Sequence, residues 1–245
     1  MEKRNEVLLK INNVWKKYDM GKAGPLVVLK EINLEVKEGE FVAIVGPSGS
    51  GKSTMMNLVG ALDVPSFGDI FLKNKNISEM TESELSQLRG ESIGFIFQKF
   101  NLIPTLSALE NVMLPLEFID KNEKSAREKA EKLLDMLGLK ERMHHKPNEL
   151  SGGQQQRVAI ARSLSNNPEI ILADEPTGNL DTKTGAFIMD FLAELNKKEK
   201  KTIILITHDL ELMHYASRVI NLRDGMIENE IKLNNKNRKE VLNKK

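Results

Sequence analysis

The chain has 245 residues, room for one large α/β domain or a domain with a subdomain, and its 36 Lys and Arg balance 35 Asp and Glu. That balance lacks the basic excess of a bulk nucleic-acid binder, so no nucleic-acid partner is expected. With no cysteine, a disulfide framework and a thiolate metal site are excluded, which fits a reducing cytoplasm.

The opening MEKRNEVLLKINN lacks the apolar run of a signal peptide. The apolar stretches elsewhere fall short of the roughly 18 residues a membrane helix needs, so any membrane contact is expected through a partner. Next, LLKINNVWKKY and LKEINLEVKEGE alternate apolar and polar residues. Ile32, Leu34 and Val36 share one face, the pattern of a half-exposed antiparallel sheet.

EFVAIVG (Glu40–Gly46) changes character: it is apolar without alternation, as expected of a strand covered on both faces. It runs into GPSGSGKST, which fits G-x-x-x-x-G-K-[S/T]. A chance match falls in roughly one chain in a hundred of this length at ordinary residue frequencies. The preceding strand and the following helix KSTMMNLVGAL therefore decide for a phosphate loop over a mere Gly-rich turn. Gly46, Pro47, Ser48, Gly49, Ser50 and Gly51 form the loop. Gly49 and Gly51 let backbone N–H groups turn toward phosphate oxygens. Lys52 brings charge to the β- and γ-phosphates and Ser53 a hydroxyl for Mg²⁺. Thr54 completes the positive helix start, so ATP with Mg²⁺ is the expected ligand.

SIGFIFQ (Ser92–Gln98) predicts a second buried strand with Gln98 at its end, within reach of metal or water. Ser107 with Glu110 predicts a capping box. KSAREKAEKLLDMLGL places Ala126, Ala130, Leu133, Leu134 and Leu137 on one helix face, ended by Gly138. Residues 99–148 thus read as a helical insert between core strands. In LSGGQQQ (Leu150–Gln156), Ser151 suits a helix N-cap. Capping does not account for Gly152 and Gly153, which cost helix stability.

EIILAD (Glu169–Asp174) predicts a strand ending in carboxylates. Asp174 is the expected Mg²⁺ partner, and Glu175 the candidate to activate water. TIILIT (Thr202–Thr207) is followed by His208, able to reach a γ-phosphate. VINLRDGMIENEI carries Asp224-Gly225, a hairpin turn. The basic, Asn-rich end, residues 234–245, reads as a solvated tail.

These elements in this order resemble the ATP-binding cassette (ABC) ATPases, from about Leu8 to Leu233. LSGGQQQ is similar to that family's signature. The runs GPSGSGKSTMMNLVGALD, FIFQKFNLIPTLSALENVMLPL, LSGGQQQRVAIARSL and LADEPTGNLD resemble the subgroup serving macrolide exporters and lipoprotein release. Departures are Lys99 where Gln is usual, Ser163 for a common Ala, and a short segment after Phe118.

The resemblance implies a P-loop α/β core with a mostly parallel sheet, an N-terminal antiparallel β subdomain and a helical subdomain near 99–165, all in one domain spanning 1–233. It implies that Ser151, Gly152, Gly153 and Gln154 grip ATP held by a second copy, that Asp181 reaches across a homodimer, and that Tyr18 stacks on adenine. Glu175, His208, Gln98 and Lys52 would serve hydrolysis; Ser53, Gln98 and Asp174 would serve the metal. The implied partner is an integral membrane permease, which places the chain on the cytoplasmic face of the membrane. A regulatory ATPase of cell division is the alternative. A soluble member acting on nucleic acid or ribosomes usually shows a long coiled coil, metal-binding cysteines or paired cassettes, absent from this sequence.

Overall fold

The computed structural model describes residues 6–118 and 122–234. The predicted tail thus lies outside the described residues, Asn234 excepted. The chain divides into two compact units: one runs up to Ser86 and resumes at Leu195, and the other spans Gln87 to Glu194.

The first unit opens with β1 (Val7–Asp19) and β2 (Pro25–Lys37), an antiparallel pair. With β4 (Phe67–Leu72) and β5 (Lys75–Asn76) they form a sheet of order β2-β1-β4-β5. As expected from the alternation, Ile32, Leu34 and Val36 are buried. Between Ile11 and Val14 the β1 register gains a residue on β2, with Asn13 at φ 47°. Such a bulge re-aims the side chains that follow it. Past it, Lys16 is turned inward and is only 8% exposed.

A second set of strands holds the buried core. β3 (Phe41–Val45), buried at every position, lies parallel to both β8 (Thr202–Thr207) and β9 (Arg218–Arg223). β9 returns as β10 (Met226–Lys232), its antiparallel partner. The two-residue turn between them has φ 48° at Asp224 and 78° at Gly225, the left-handed pair a type I′ hairpin requires. The Gly225 amide donates to the Ser50 carbonyl (3.1 Å), and its carbonyl accepts from the Lys30 amide (2.8 Å). β3 feeds residues 46–51 and then α1 (Lys52–Val59), which buries Met55, Met56, Leu58 and Val59.

In the second unit β6 (Ile93–Ile96) pairs in parallel with β7 (Ile170–Asp174), Ile93 opposite Ile170 and Ile96 opposite Ala173. β6 is shorter than predicted. Ser92 closes the helix α2 (Glu82–Ser92), and ladder pairing stops at Ile96, so Gln98 lies in a loop beyond the strand end. α3 (Ala108–Glu117) begins with the predicted capping box of Ser107 and Glu110. α4 (Glu123–Met136) buries Ala126, Ala130 and Leu134, with Leu137 buried just beyond. Leu133 is half-buried, and Gly138 ends the run at φ 68°. α3 and α4 pack on each other and on α5 (Gly152–Leu164). α6 (Thr182–Glu199) follows β7.

Gly225→Ala tests the hairpin's fit. A Cβ there would stand 2.2 Å from the Val28 carbonyl oxygen, besides carrying a left-handed φ. Chemical denaturation is expected to show a loss above about 2 kcal/mol. Asp224→Asn, which keeps a residue tolerant of that conformation, should change stability by less than about 0.5 kcal/mol. A neutral Gly225→Ala would mean that the turn can withdraw from β2.

Candidate functional site

In the first unit the loop from Gly46 to Gly51 is shaped by backbone fit. A Cβ on Gly46 would stand 2.1 Å from the Leu222 carbonyl oxygen, and one on Gly51 2.7 Å from a Leu29 methyl. Gly49 (φ 78°) and Gly51 (φ 102°) hold left-handed conformations, and Gly51 is the N-cap of α1. No side chain among the described residues caps α1. The helix therefore presents the orphan amides of its first turn, with their partial positive charge, to whatever anion approaches. Lys52 bends back over the loop, its Nζ donating to the carbonyls of Gly46 and Pro47 at 2.8 Å each. Pro47, Ser48 and Gly49 are exposed. Ser50 is 2% exposed, with its Oγ in no hydrogen bond among the described residues.

Ser53 is exposed in that first turn, and its hydroxyl is the hard oxygen donor that Mg²⁺ takes. No cluster of three or more His, Asp or Glu side chains suited to a metal lies among the described residues.

Tyr18, half-exposed near the end of β1, donates its hydroxyl to Asp63 Oδ2 (3.0 Å). Burial, followed by the hydrogen bond and charge of Asp63, pushes the phenol above its ordinary pKa. His208 is exposed directly after β8. The residues on either side of it are tied down. The Asp209 amide donates to Thr207 Oγ1 (3.0 Å), and Asp209 Oδ1 accepts from the Glu211 amide (2.8 Å) to cap a short 3₁₀ helix.

The second unit gathers the remaining predicted residues around three segments. The first is the start of α5. Ser151 Oγ accepts from the Gln154 amide (3.3 Å), while Gln154 Oε1 accepts from the Ser151 amide (2.8 Å). Capping explains Ser151, and packing explains Gly153, because a Cβ there would stand 2.5 Å from Thr184 Cγ2 on α6. Gly152 lies under Phe100, a Cβ there meeting the ring edge at 3.6 Å.

The second segment follows β7. Asp174 ends the strand, and Glu175 takes a left-handed φ of 45°, uncommon for a residue with a long side chain. The turn closes when the Gly178 amide donates to the Glu175 carbonyl (3.1 Å). Asp181 opens α6, accepting from the amide (3.0 Å) and hydroxyl (2.6 Å) of Thr184. Those bonds hold its carboxyl below the ordinary carboxylate range. With the folded pKa lowered, the cap is present at neutral pH and is lost as pH falls through that lowered value.

The third segment is the loop after β6. The Gln98 carbonyl accepts from Asn179 Nδ2 (2.9 Å), and a Cβ on Gly178 would stand 2.8 Å from Gln98 Nε2. Arg162 of α5 donates to the carbonyls of Phe100 (3.1 Å) and Asn101 (2.6 Å).

Sequence reading missed the side chains that bind these segments together: Gln156, Asn179, Thr184 and Arg162. Gln156 is fully buried and donates through Nε2 to the Pro176 carbonyl at 2.7 Å, one residue beyond Glu175. It carried a signal. It stands four residues before Ile160 and three before Ala159, a polar residue set in the apolar stripe of its helix.

The ABC transporter family model matches residues 29–178. The chain is 52% identical over 230 residues to the uncharacterized ABC transporter ATP-binding protein MJ0796 of Methanocaldococcus jannaschii, covering 92% of this chain and 97% of that protein. It is 51% identical over 226 residues to the macrolide export ATP-binding/permease protein MacB of Bdellovibrio bacteriovorus. That match covers 92% of this chain and 34% of MacB, so the chain spans about a third of that relative's length. Among solved structures, the dimeric post-hydrolysis state of the ATP-binding cassette MJ0796 bound to ADP and Pi superposes with a TM-score of 0.86 at 50% identity, over 92% of this chain and 99% of that one.

Gln156→Leu keeps the volume and removes the donor. Leaving the Pro176 carbonyl without that donor should cost about 1–3 kcal/mol in chemical denaturation. Gln155→Leu removes a 3.1 Å bond to the Leu150 carbonyl nearer the surface and should cost less than half as much. Equal losses would mean that the Gln156 tie is no stronger than a surface cap.

Proposed function

The chain is an ATPase of the ABC transporter family, and from that premise we propose that it dimerises around two ATP molecules and drives a separate membrane permease in export, lipoprotein release or force transmission. The observation that carries this reading is the presence in one chain of both an uncapped phosphate loop and a helix start bearing Ser151, Gly152 and Gly153. Each is an anion-binding device. A kinase or GTPase would need only the first.

On this reading ATP sits on the phosphate loop, with Lys52 and the amides of residues 49–54 on its phosphates and Tyr18 against the base. Ser53, Gln98 and Asp174 are the oxygen donors proposed for Mg²⁺, which would supply charge neutralisation at the phosphates. Glu175 accepts a proton from the attacking water, and its fixed left-handed backbone limits where the carboxylate can go. His208 supports the same step. Ser151 to Gln154 and Asp181 complete the site of the second copy, as an isologous two-fold dimer demands. Charge building on the transferred phosphoryl group is stabilised by prearranged donors rather than by covalent chemistry.

The relatives support the assembly. MJ0796 forms a dimer with ADP and Pi, and MacB is named as an ATP-binding/permease protein for macrolide export. No helix among the described residues is long and apolar enough to cross a membrane. A permease partner would therefore hold the chain peripherally on the cytoplasmic face.

Glu175→Gln is expected to cut steady-state hydrolysis at least about a hundredfold while ATP still binds, so that ATP traps a dimer on size exclusion. Normal turnover in this variant would remove Glu175 as the base. Ser151→Arg should leave ATP binding by the monomer intact and abolish the ATP-dependent dimer. A dimer that survives would remove the composite site. Recovering the trapped dimer with a membrane protein of a few spans supports the permease reading, and recovery with ribosomes or nucleic acid overturns it.

A further inference from the structure

Tyr18, near a strand end, is held by Asp63, 45 residues away in sequence, and by Lys16. The bulge in β1 turns Lys16 inward, where its ammonium donates to Asp63 Oδ1 (2.6 Å) and to the Val64 carbonyl (2.8 Å). The same ammonium stands over the Tyr18 ring, 4.9 Å from its centroid. Asp63 is committed on both oxygens. Oδ1 takes Lys16 and the Val64 amide (2.8 Å), and Oδ2 takes the Tyr18 hydroxyl (3.0 Å). Partial burial works against its ionisation, but the bonds from Lys16 and Tyr18 win and hold the carboxyl below its ordinary pKa. The cluster is thus an ion pair of Lys16 and Asp63 that holds the neutral Tyr18 hydroxyl.

We propose that Asp63 and Lys16 are positioning residues that fix Tyr18 as a one-sided platform for the base of the bound nucleotide. This rests on the reading that Tyr18 stacks on that base. Three constraints define the ring. Its hydroxyl is anchored by Asp63, one face is covered by a cation, and its backbone is paired with Leu26 of β2. The cation covers one face through a cation–π contact and leaves the opposite face to a flat partner. A ring already fixed in one rotamer loses no side-chain freedom when the base arrives, which is worth about three- to tenfold in Kd.

The test compares ATP with inorganic tripolyphosphate, which lacks a base, in calorimetric titrations of the full chain. Tyr18→Ala should weaken ATP and leave tripolyphosphate unchanged. An unchanged ATP Kd in that variant would defeat the stacking reading itself. Tyr18→Phe keeps the ring and removes only the anchor; ATP should weaken about three- to tenfold, with tripolyphosphate as before. Asp63→Ala and Lys16→Met should do the same. Adding Asp63→Ala to Tyr18→Ala should then change nothing further. The positioning role fails, with stacking intact, if Tyr18→Ala weakens ATP but Tyr18→Phe and Asp63→Ala do not. It fails equally if Asp63→Ala weakens both ligands alike, or still weakens ATP once the ring is gone, since either result marks a merely structural residue.

Discussion

The first turn of α1 is left without a side-chain cap, and much of the first unit serves to hold it open. An uncapped helix start exposes donors that need partners, so the surrounding backbone must be rigid enough not to collapse onto them. Here rigidity comes from close approach. Gly46 lies against the Leu222 carbonyl, Gly51 against Leu29, and the Gly225 amide holds the Ser50 carbonyl. The only cation of the loop, Lys52, satisfies two loop carbonyls until a stronger acceptor arrives. A phosphate chain then meets a set of donors that needs little rearrangement, the condition under which electrostatic stabilisation is largest.

The helix start of α5 follows a different logic. Ser151 and Gln154 satisfy each other's amides, so this helix is stable by itself. The box serves the amides of Ser151 and Gln154 and leaves those of Gly152 and Gly153 to another acceptor. One chain therefore carries one helix start built to hold an anion and another that stands without one. That asymmetry suits a cycle in which the first site fills before the second is recruited.

How much of this was legible in the sequence depended on the range of the interaction. The strands Phe41–Val45, Ile170–Asp174 and Thr202–Thr207 were readable because a strand covered on both faces is apolar but for its ends. The Asp224-Gly225 turn and the Ser107 capping box were readable because their chemistry is complete within four residues. The end of β6 was not, because it is set by pairing with β7, a strand distant in sequence. Lys16 reads as a surface lysine in any local window; only the β1 bulge and Asp63 make it a buried cation. Gly153 reads as a helix defect until Thr184 is brought beside it. Asp181 is also a helix cap, a local role set by Thr184 three residues on.

The ties in the second unit bear on how a change at α5 is felt elsewhere. Gln156 joins the buried side of α5 to the Pro176 carbonyl, Gly153 leaves no space between α5 and Thr184, and Thr184 holds Asp181. Arg162, further along the same helix, holds the carbonyls of Phe100 and Asn101, while Asn179 holds that of Gln98. The α5 tip is tied to its surroundings by the buried 2.7 Å bond from Gln156 and by packing that leaves no space for a side chain at Gly153. Glu175 sits inside this frame in a backbone conformation that an unconstrained glutamate rarely adopts. Gln156 thus ties the backbone next to Glu175 to the helix that begins at Gly152, and on the proposed reading this joins the water-activating carboxylate to the helix that meets the second copy's nucleotide.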